Sequence, residues 1–367
     1  MNAMSTLVVQ TGHILANLEA MRKHTNVPVI PVLKGNAYGL GDVEVARLLR
    51  EKADVHLFAV SRLEEAKRLK EALPDEEIFL LSPYGTEKEA EEIVRLGLTA
   101  TVGSYGSAVL LNGLSEKAGT RCRVHLKFDT GLGRSGFLPE EAEKAVQAAK
   151  YLKNLEIAGC FSHFSNSFGK DEKGVRTQLD RLQHCVAALK NAGVEPGMLH
   201  IAASNAAILY PSARLDAVRC GSALLGRVGV RNKLGLHKVG RLECPISDVR
   251  WLPAGHNVGY GNTYTTKKPA RIATIQAGYA DGLFLQKMRD AFRTRDILRD
   301  GWHDFRALFR RPSLHCTING QPARLLGRVG MCTVVADVSN IQCGAGDMAS
   351  FDVSPLLVNA NVERVYL

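Results

Sequence analysis

The feature that most constrains the fold is an alternation running from Val29 to Cys220. Short apolar runs recur at residues 29–33, 56–60, 78–82, 98–102, 123–128, 157–162, 198–203 and 217–220. Between them lie helix-period amphipathic segments, at 43–52, 61–73, 86–96, 139–152 and 174–192, several opening on acidic residues. Continuous apolar runs suit strands covered on both faces, and strands alternating with helices call for a parallel sheet. Eight such strands in about two hundred residues fit an N-terminal (β/α)8 barrel, the TIM barrel, better than an open doubly wound sheet.

After residue 235 the pattern changes. Strand-like runs at 242–251, 271–277, 313–318, 329–337 and 348–353 are separated by turn signals at Pro253-Ala254-Gly255 and Asn319-Gly320. The Asn-Gly pair predicts a two-residue hairpin, because both positions tolerate positive φ. The expected organisation is α/β followed by β, with a barrel over 4–235 and a mainly β domain over 236–367. A helical insertion near 284–311 interrupts the second domain. It is rich in Arg and Lys and carries Phe284, Phe292, Trp302, Phe305 and Phe309. The favoured reading is an amphipathic helix packing those rings on its own domain, with a subunit contact or a lip over a neighbouring site as alternatives.

Composition narrows the function classes. With 367 residues and 46% apolar content, the chain can bury one or two substantial cores. No apolar run approaches the ~20 residues of a membrane span, and the start lacks a charged-then-apolar signal segment, so a soluble protein without a membrane partner is expected. The eight cysteines show no paired spacing, which favours reduced thiols in a cytoplasmic protein and no metal site. The net charge of +10 is scattered rather than gathered into one basic arm. A solvated surface with some attraction for anionic substrates is therefore preferred over nucleic-acid binding.

Several strand ends carry chemistry. Val32-Leu33-Lys34-Gly35-Asn36-Ala37-Tyr38-Gly39-Leu40-Gly41 reads as a strand end, a glycine-spaced turn and a helix from about Asp42. It presents Lys34 beside small residues and one phenol. A lysine can be a solvated surface charge, and a reactive amine needs desolvation or a cationic neighbour. The fifth strand ends in Lys127-Phe128-Asp129-Thr130-Gly131-Leu132-Gly133-Arg134, at the face where barrels assemble their sites. A tight turn closed by an ion pair is the alternative there. The sixth ends in Ser162-His163-Phe164; taken alone, such a histidine is more often a satisfied core or surface residue than a functional one. The last two strand ends bring Ser204, Arg219, Gly221 and Ser222, where a glycine and backbone amides open a short helix suited to phosphate, with Tyr38 nearby. Arg219 keeps its proton, so it donates a hydrogen bond without acting as an acid. Val258-Gly259-Tyr260-Gly261 and Gly278-Tyr279-Ala280-Asp281-Gly282 are aromatic-glycine segments, which are commonly structural.

Together these stretches, in this order from residue 34 to 331, resemble the alanine racemase family of fold-type III pyridoxal-phosphate enzymes. The resemblance implies pyridoxal 5'-phosphate as cofactor, held covalently by Lys34, with Tyr38, His163, Ser204, Arg219, Gly221 and Ser222 around it. It implies Arg134, Tyr279 and Met331 at the substrate, and Lys127, often carbamylated in the family, behind Arg134. Lys34 and Tyr260 become the two acid/base groups that interconvert L- and D-alanine. The tyrosine is supplied by the partner of a homodimer, and the implied role is D-amino acid supply for the cell wall. The match departs at Gly35, Leu40, Leu132 and Ala203. Cys332 replaces an acidic residue, and Phe351-Asp352-Val353-Ser354-Pro355 stands where the family carries Tyr-Glu. These last changes and the insertion after Gly282 resemble the serine/alanine racemases linked to vancomycin resistance, so serine is expected as a further substrate. A pyridoxal-phosphate carrier or sensor without turnover, or a related amino-acid decarboxylase, are the alternatives.

Overall fold

The computed structural model describes residues 5–169, 172–286, 294–309 and 313–367. The chain forms two compact units: Gln10–Val239, and Gly240–Leu367 together with the N-terminal strand. That strand, β1 (Thr6–Val9), pairs with residues 241–243 and 363–366. Residues before Gln10 therefore group with the second unit, whereas the sequence reading began the barrel at residue 4.

All eight expected barrel strands form: β2 (Val29–Pro31), β3 (Leu57–Val60), β4 (Glu77–Leu80), β5 (Ala100–Val102), β6 (Cys122–Lys127), β7 (Leu155–Phe161), β8 (Met198–His200) and β9 (Val218–Cys220). Parallel ladders join β3 to β4, β5 through β8 in sequence, and β9 back to β2. Single parallel bridges at Val32↔Ala59, Phe79↔Thr99 and Ala203↔Arg219 supply the remaining joints, so the ring closes. Closure fills the interior with inward-facing side chains. Ile30, Val32, Ala59, Phe79, Phe161 and Ala217 form that plug, drawn from strands on opposite sides of the ring. Surrounding helices begin where local chemistry dictates. At Glu87–Arg95, the Thr86 hydroxyl accepts from the Glu89 N–H and the Glu89 carboxylate accepts from the Thr86 N–H, a reciprocal capping box.

In the other unit β10 (Arg241–Leu252), β11 (Ala270–Ile275), β12 (His315–Ile318), β13 (Gln321–Leu326), β14 (Val334–Asp337) and β15 (Met348–Asp352) make a closed antiparallel barrel. The long β10 bridges its two ends, and β1 lies between β10 and β16 (Glu363–Tyr366). The Asn319-Gly320 hairpin forms with φ of 48° and 76°. The strand expected at 329–337 starts only at Val334, because Gly330 and Met331 are held by backbone bonds to 279–280 and Thr333.

The insertion contributes the helix Thr294–Phe309. Its rings do not bury on their own unit as expected: Trp302 is 60%, Phe305 50% and Phe309 76% exposed, and they contact one another at ring separations of 5.7 and 5.3 Å. Phe284 alone turns inward, edge-on to Phe351 at 6.2 Å. Phe292 lies outside the described residues.

Candidate active site

The turn after β2 carries the longest run of positive φ among the described residues. Gly35, Asn36, Ala37 and Tyr38 all have positive φ, between 50° and 65°, making one left-handed turn that begins at Lys34. Such a conformation costs roughly 1–2 kcal/mol per residue with a Cβ, so surrounding bonds must over-determine it. Glu65 accepts from the Gly35 N–H at 2.7 Å, and the Asn36 side chain accepts from the Asp42 N–H at 3.0 Å. Backbone bonds from Ala37 to Leu33 and from Gly39 to Gly35 close the turn. It places Lys34 just beyond the end of β2 and brings the Tyr38 phenol against Gly221. A cavity of about 490 Å³ opens there, lined by Lys34, Tyr38, Lys127, Arg134, His163, Ser204, Arg219, Gly221 and Ser222 among others. Nine of the residues expected from sequence thus share one space within the barrel unit.

The Asp129 loop shapes one wall. Its two carboxylate oxygens accept from the N–H groups of Gly131, Leu132, Gly133 and Arg134 at 2.8–3.0 Å. Burial alone raises this carboxyl, and the four donors outweigh it and hold it below its ordinary value. The loop anchor is thus a backbone clamp, not the ion pair considered from sequence. Lys127 donates to the Ser135 hydroxyl at 2.6 Å. Burial, then the nearby Arg134 and Arg219 charges, brings its amine down to about 8.

Arg219 occupies the floor. It is 3% exposed and is held by acceptors only: the carbonyls of Ser162 at 2.7 Å, His200 at 3.1 Å and Ile201 at 3.1 Å, the His163 ring at 3.2 Å, and the His200 ring. Burial pulls its guanidinium down to about 9, still a cation at neutral pH. Because a guanidinium only donates, Nδ1 of both histidines must accept, which places their protons on Nε2. His200 Nε2 in turn lies 2.8 Å from His125 Nδ1, beneath the ring of Phe79. The sequence reading did not single out His125 or His200. The available signal was position: His125 stands two residues before Lys127 on β6, hence on the same inward face.

Buried neutral histidines carry a cost in acid. Burial first, and then the surrounding arginines and lysines, hold His125 and His163 at about 3. The unfolded chain takes up protons at both sites near pH 6.5, and the native one does not. Stability is therefore lost as pH falls from about 6.5 towards 3. Thermal unfolding measured down to about pH 4 is expected to show a steeper fall for wild type than for His163→Gln.

The opposite wall is an anion cradle. The Ser204 hydroxyl accepts from the Ala223 N–H at 3.1 Å. A Cβ at Gly221 would lie 2.2 Å from the Tyr38 hydroxyl, so only glycine admits the phenol at this point. Burial pushes the Tyr38 phenol up to about 12, which keeps it a proton donor. Small backbone, hydroxyl donors and a phenol fit a phosphate, and the fixed Arg219 donors fit the edge of an aromatic ring. In the β unit, Tyr279 and Ala280 donate backbone bonds to Gly330 and Met331 at 3.1 and 2.9 Å, bringing Tyr279 beside Met331. Tyr260 opens a short turn, 76% exposed.

An amine and fixed cations facing a phosphate-sized cradle, on a barrel that shares its chain with an antiparallel β barrel, define an enzyme built around a phosphorylated organic cofactor. Two family models match: alanine racemase, N-terminal domain, over residues 9–228, and alanine racemase, C-terminal domain, over 239–354. The chain is 36% identical over 270 residues to an alanine racemase of Carboxydothermus hydrogenoformans, covering 72% of this chain and 73% of that one. With an alanine racemase of Methanococcus maripaludis it shares 30% over 350 residues, 93% and 87% of the two chains. The crystal structure of alanine racemase from D-cycloserine producing Streptomyces lavendulae superposes with a TM-score of 0.82 at 26% identity, covering 100% and 98%. This chain belongs to the alanine racemase family, whose cofactor is pyridoxal 5'-phosphate.

Proposed function

We propose that this chain is a pyridoxal-phosphate-dependent racemase that interconverts L- and D-alanine with two bases, Lys34 and Tyr260, and accepts serine as well. The observation that carries this reading is the convergence of Lys34, Arg134, His163, Arg219 and the Tyr38/Ser204/Gly221/Ser222 cradle on one cavity. When bound, pyridoxal phosphate supplies an electron-withdrawing ring, attached through Lys34, that acidifies the substrate Cα–H. Tyr38, Ser204, Gly221 and Ser222 would hold the phosphate, and His163 and Arg219 would hold the ring. Arg219 would offer the ring a hydrogen bond and no acidic proton, so the group would supply a weaker electron sink than it does beside a carboxylic acid. Arg134 binds the substrate carboxylate, with Lys127 behind it and Tyr279 and Met331 on the substrate side. No single side chain reaches both faces of Cα. The Lys34 amine would hold or deliver a proton at one face, and the Tyr260 hydroxyl at the other.

The exposure of Tyr260 suits a homodimer in which each copy lends this tyrosine to the other. All eight cysteines are unbridged, and seven are buried, in keeping with a reducing, cytoplasmic setting. No helix among the described residues is long and apolar enough to cross a membrane. Serine enters the proposal on the departures from the family pattern: Cys332, exposed, stands where the family carries an acidic residue, and residues 351–355 stand where it carries Tyr-Glu.

The test is exchange of the Cα proton with deuterated solvent, starting separately from L- and D-alanine. Tyr260→Phe is expected to lose exchange from one enantiomer and keep it from the other, whereas Lys34→Ala, which also loses the proposed anchor, is expected to lose both; loss of both, or of neither, in Tyr260→Phe would falsify the two-base assignment. In steady-state assays serine turnover is expected beside alanine turnover, and its complete absence removes serine from the proposal.

A further inference from the structure

Outside the site, exposed apolar side chains gather on the helix Thr294–Phe309, where Ile297, Leu298, Trp302, Phe305 and Phe309 are each at least half exposed. Leu298, Trp302, Phe305 and Phe309 are spaced four, three and four apart, which puts them on one face in the spacing of a seam between two helices. The rings are already ordered: Trp302 stacks on Phe305 at 5.7 Å, and Phe305 meets Phe309 edge-on at 5.3 Å. Docking would therefore cost them little further freedom. Charge is kept off this face, since Arg299 pairs with Asp296 at 3.1 Å and with Asp300 at 3.2 Å on the polar side of the helix.

Spacing alone names no partner, but the charges and the area do. The helix carries three Arg and three Asp in its 16 residues, so it has no net charge. Asp296, Asp300 and Asp304 make one row, four residues apart, which an anionic lipid surface would repel. Arg299 and Arg306 border the apolar stripe on one side, and Asp300 and Asp304 on the other. A second copy laid alongside in parallel, with the two-fold axis running along the helices, sets an arginine edge beside an aspartate edge on both sides of the seam. An antiparallel copy would set arginines against arginines. Taking about 200 Å² for a fully exposed large side chain, the five present roughly 500–600 Å², at the top of what a monomer leaves open. Two such faces together bury about 1,000 Å², the floor for a specific interface.

We propose that this helix is a self-association surface, pairing in parallel with the same helix of a second copy of this chain. The pairing uses neither the cofactor nor Tyr260, so it stands independently of the racemase reading. Its seam is short, and the association is accordingly weak and concentration-dependent.

The experiment uses full-length protein. Leu298→Cys and Phe309→Cys are made separately in a Cys332→Ser background, because Cys332 is the exposed thiol among the described cysteines, then oxidised and run without reductant. Each is expected to cross-link to its own counterpart, since a parallel two-fold pair sets equivalent residues opposite one another. Adding Phe305→Asp should lower that cross-linking at least about tenfold. In sedimentation velocity, Phe305→Asp should lose the concentration-dependent species of wild type at an unchanged melting temperature; Trp302→Gln serves if the aspartate variant does not fold. Cross-linking only when the Leu298→Cys and Phe309→Cys proteins are mixed overturns the parallel arrangement. No cross-linking above the Cys332→Ser background, or Phe305→Asp sedimenting like wild type, overturns self-association. Binding to phosphatidylserine vesicles that Phe305→Asp abolishes, without self-association, overturns it too and assigns the face to a lipid surface.

Discussion

Lys34→Ala is expected to lower alanine racemisation by at least about a thousand-fold, because it would remove both the proposed covalent anchor and one of the two proposed acid/base groups. The fold should survive. The left-handed turn is held by the Glu65 carboxylate, the Asn36 side chain and backbone bonds among residues 33–41, and none of these uses the lysine amine. Equal melting temperatures for variant and wild type in the cofactor-free state, together with lost turnover, would separate chemistry from structure. Residual turnover within about tenfold of wild type would show that the amine is not a base in the reaction.

Arg219→Met is expected to fail differently, by damaging the barrel itself. The guanidinium satisfies three buried carbonyls and two histidine rings, and methionine leaves all of them without that donor. Breaking such a buried network typically costs about 3–5 kcal/mol. The loss should appear as a drop in unfolding midpoint with an unchanged denaturant slope. A variant as stable as wild type would mean that these acceptors find water or other partners once the arginine is gone.

The barrel was legible because its signal is redundant. Eight apolar runs spaced by helical periods leave few other architectures, and a missing helix such as Tyr105–Lys117 does not disturb the count. β1 and β16 were not legible. They are four residues each and owe their existence to pairing with β10 and with one another across most of the chain, which local periodicity cannot register. The glycines at 35, 39 and 41 announced a turn, but not that Asn36, Ala37 and Tyr38 would share the left-handed region, since residues with a Cβ rarely enter it. The insertion's rings show the opposite failure: amphipathic spacing predicted a buried face, and Trp302, Phe305 and Phe309 remain in solvent. A hydrophobic stripe says that a face wants covering; it does not say by what.

The site residues divide in the same way. Lys34, Arg134, His163, Ser204, Gly221 and Ser222 stand beyond strand ends and Arg219 inside the three-residue β9, and closing the barrel gathers them on one cavity. His125, inside β6, and His200, the last residue of β8, are buried amid Phe79 and Phe161, where a polar ring makes sense only once Arg219 is known to bond His200 and His200 to bond His125.

The most direct measurement is the optical activity of L-alanine, followed by circular dichroism with purified protein and added pyridoxal 5'-phosphate in deuterated water. Decay to a racemic mixture with deuterium at Cα is the expected result. Retained optical activity despite a cofactor adduct at Lys34, or loss of the carboxyl group as carbon dioxide, would contradict it and point instead to a cofactor carrier or a decarboxylase.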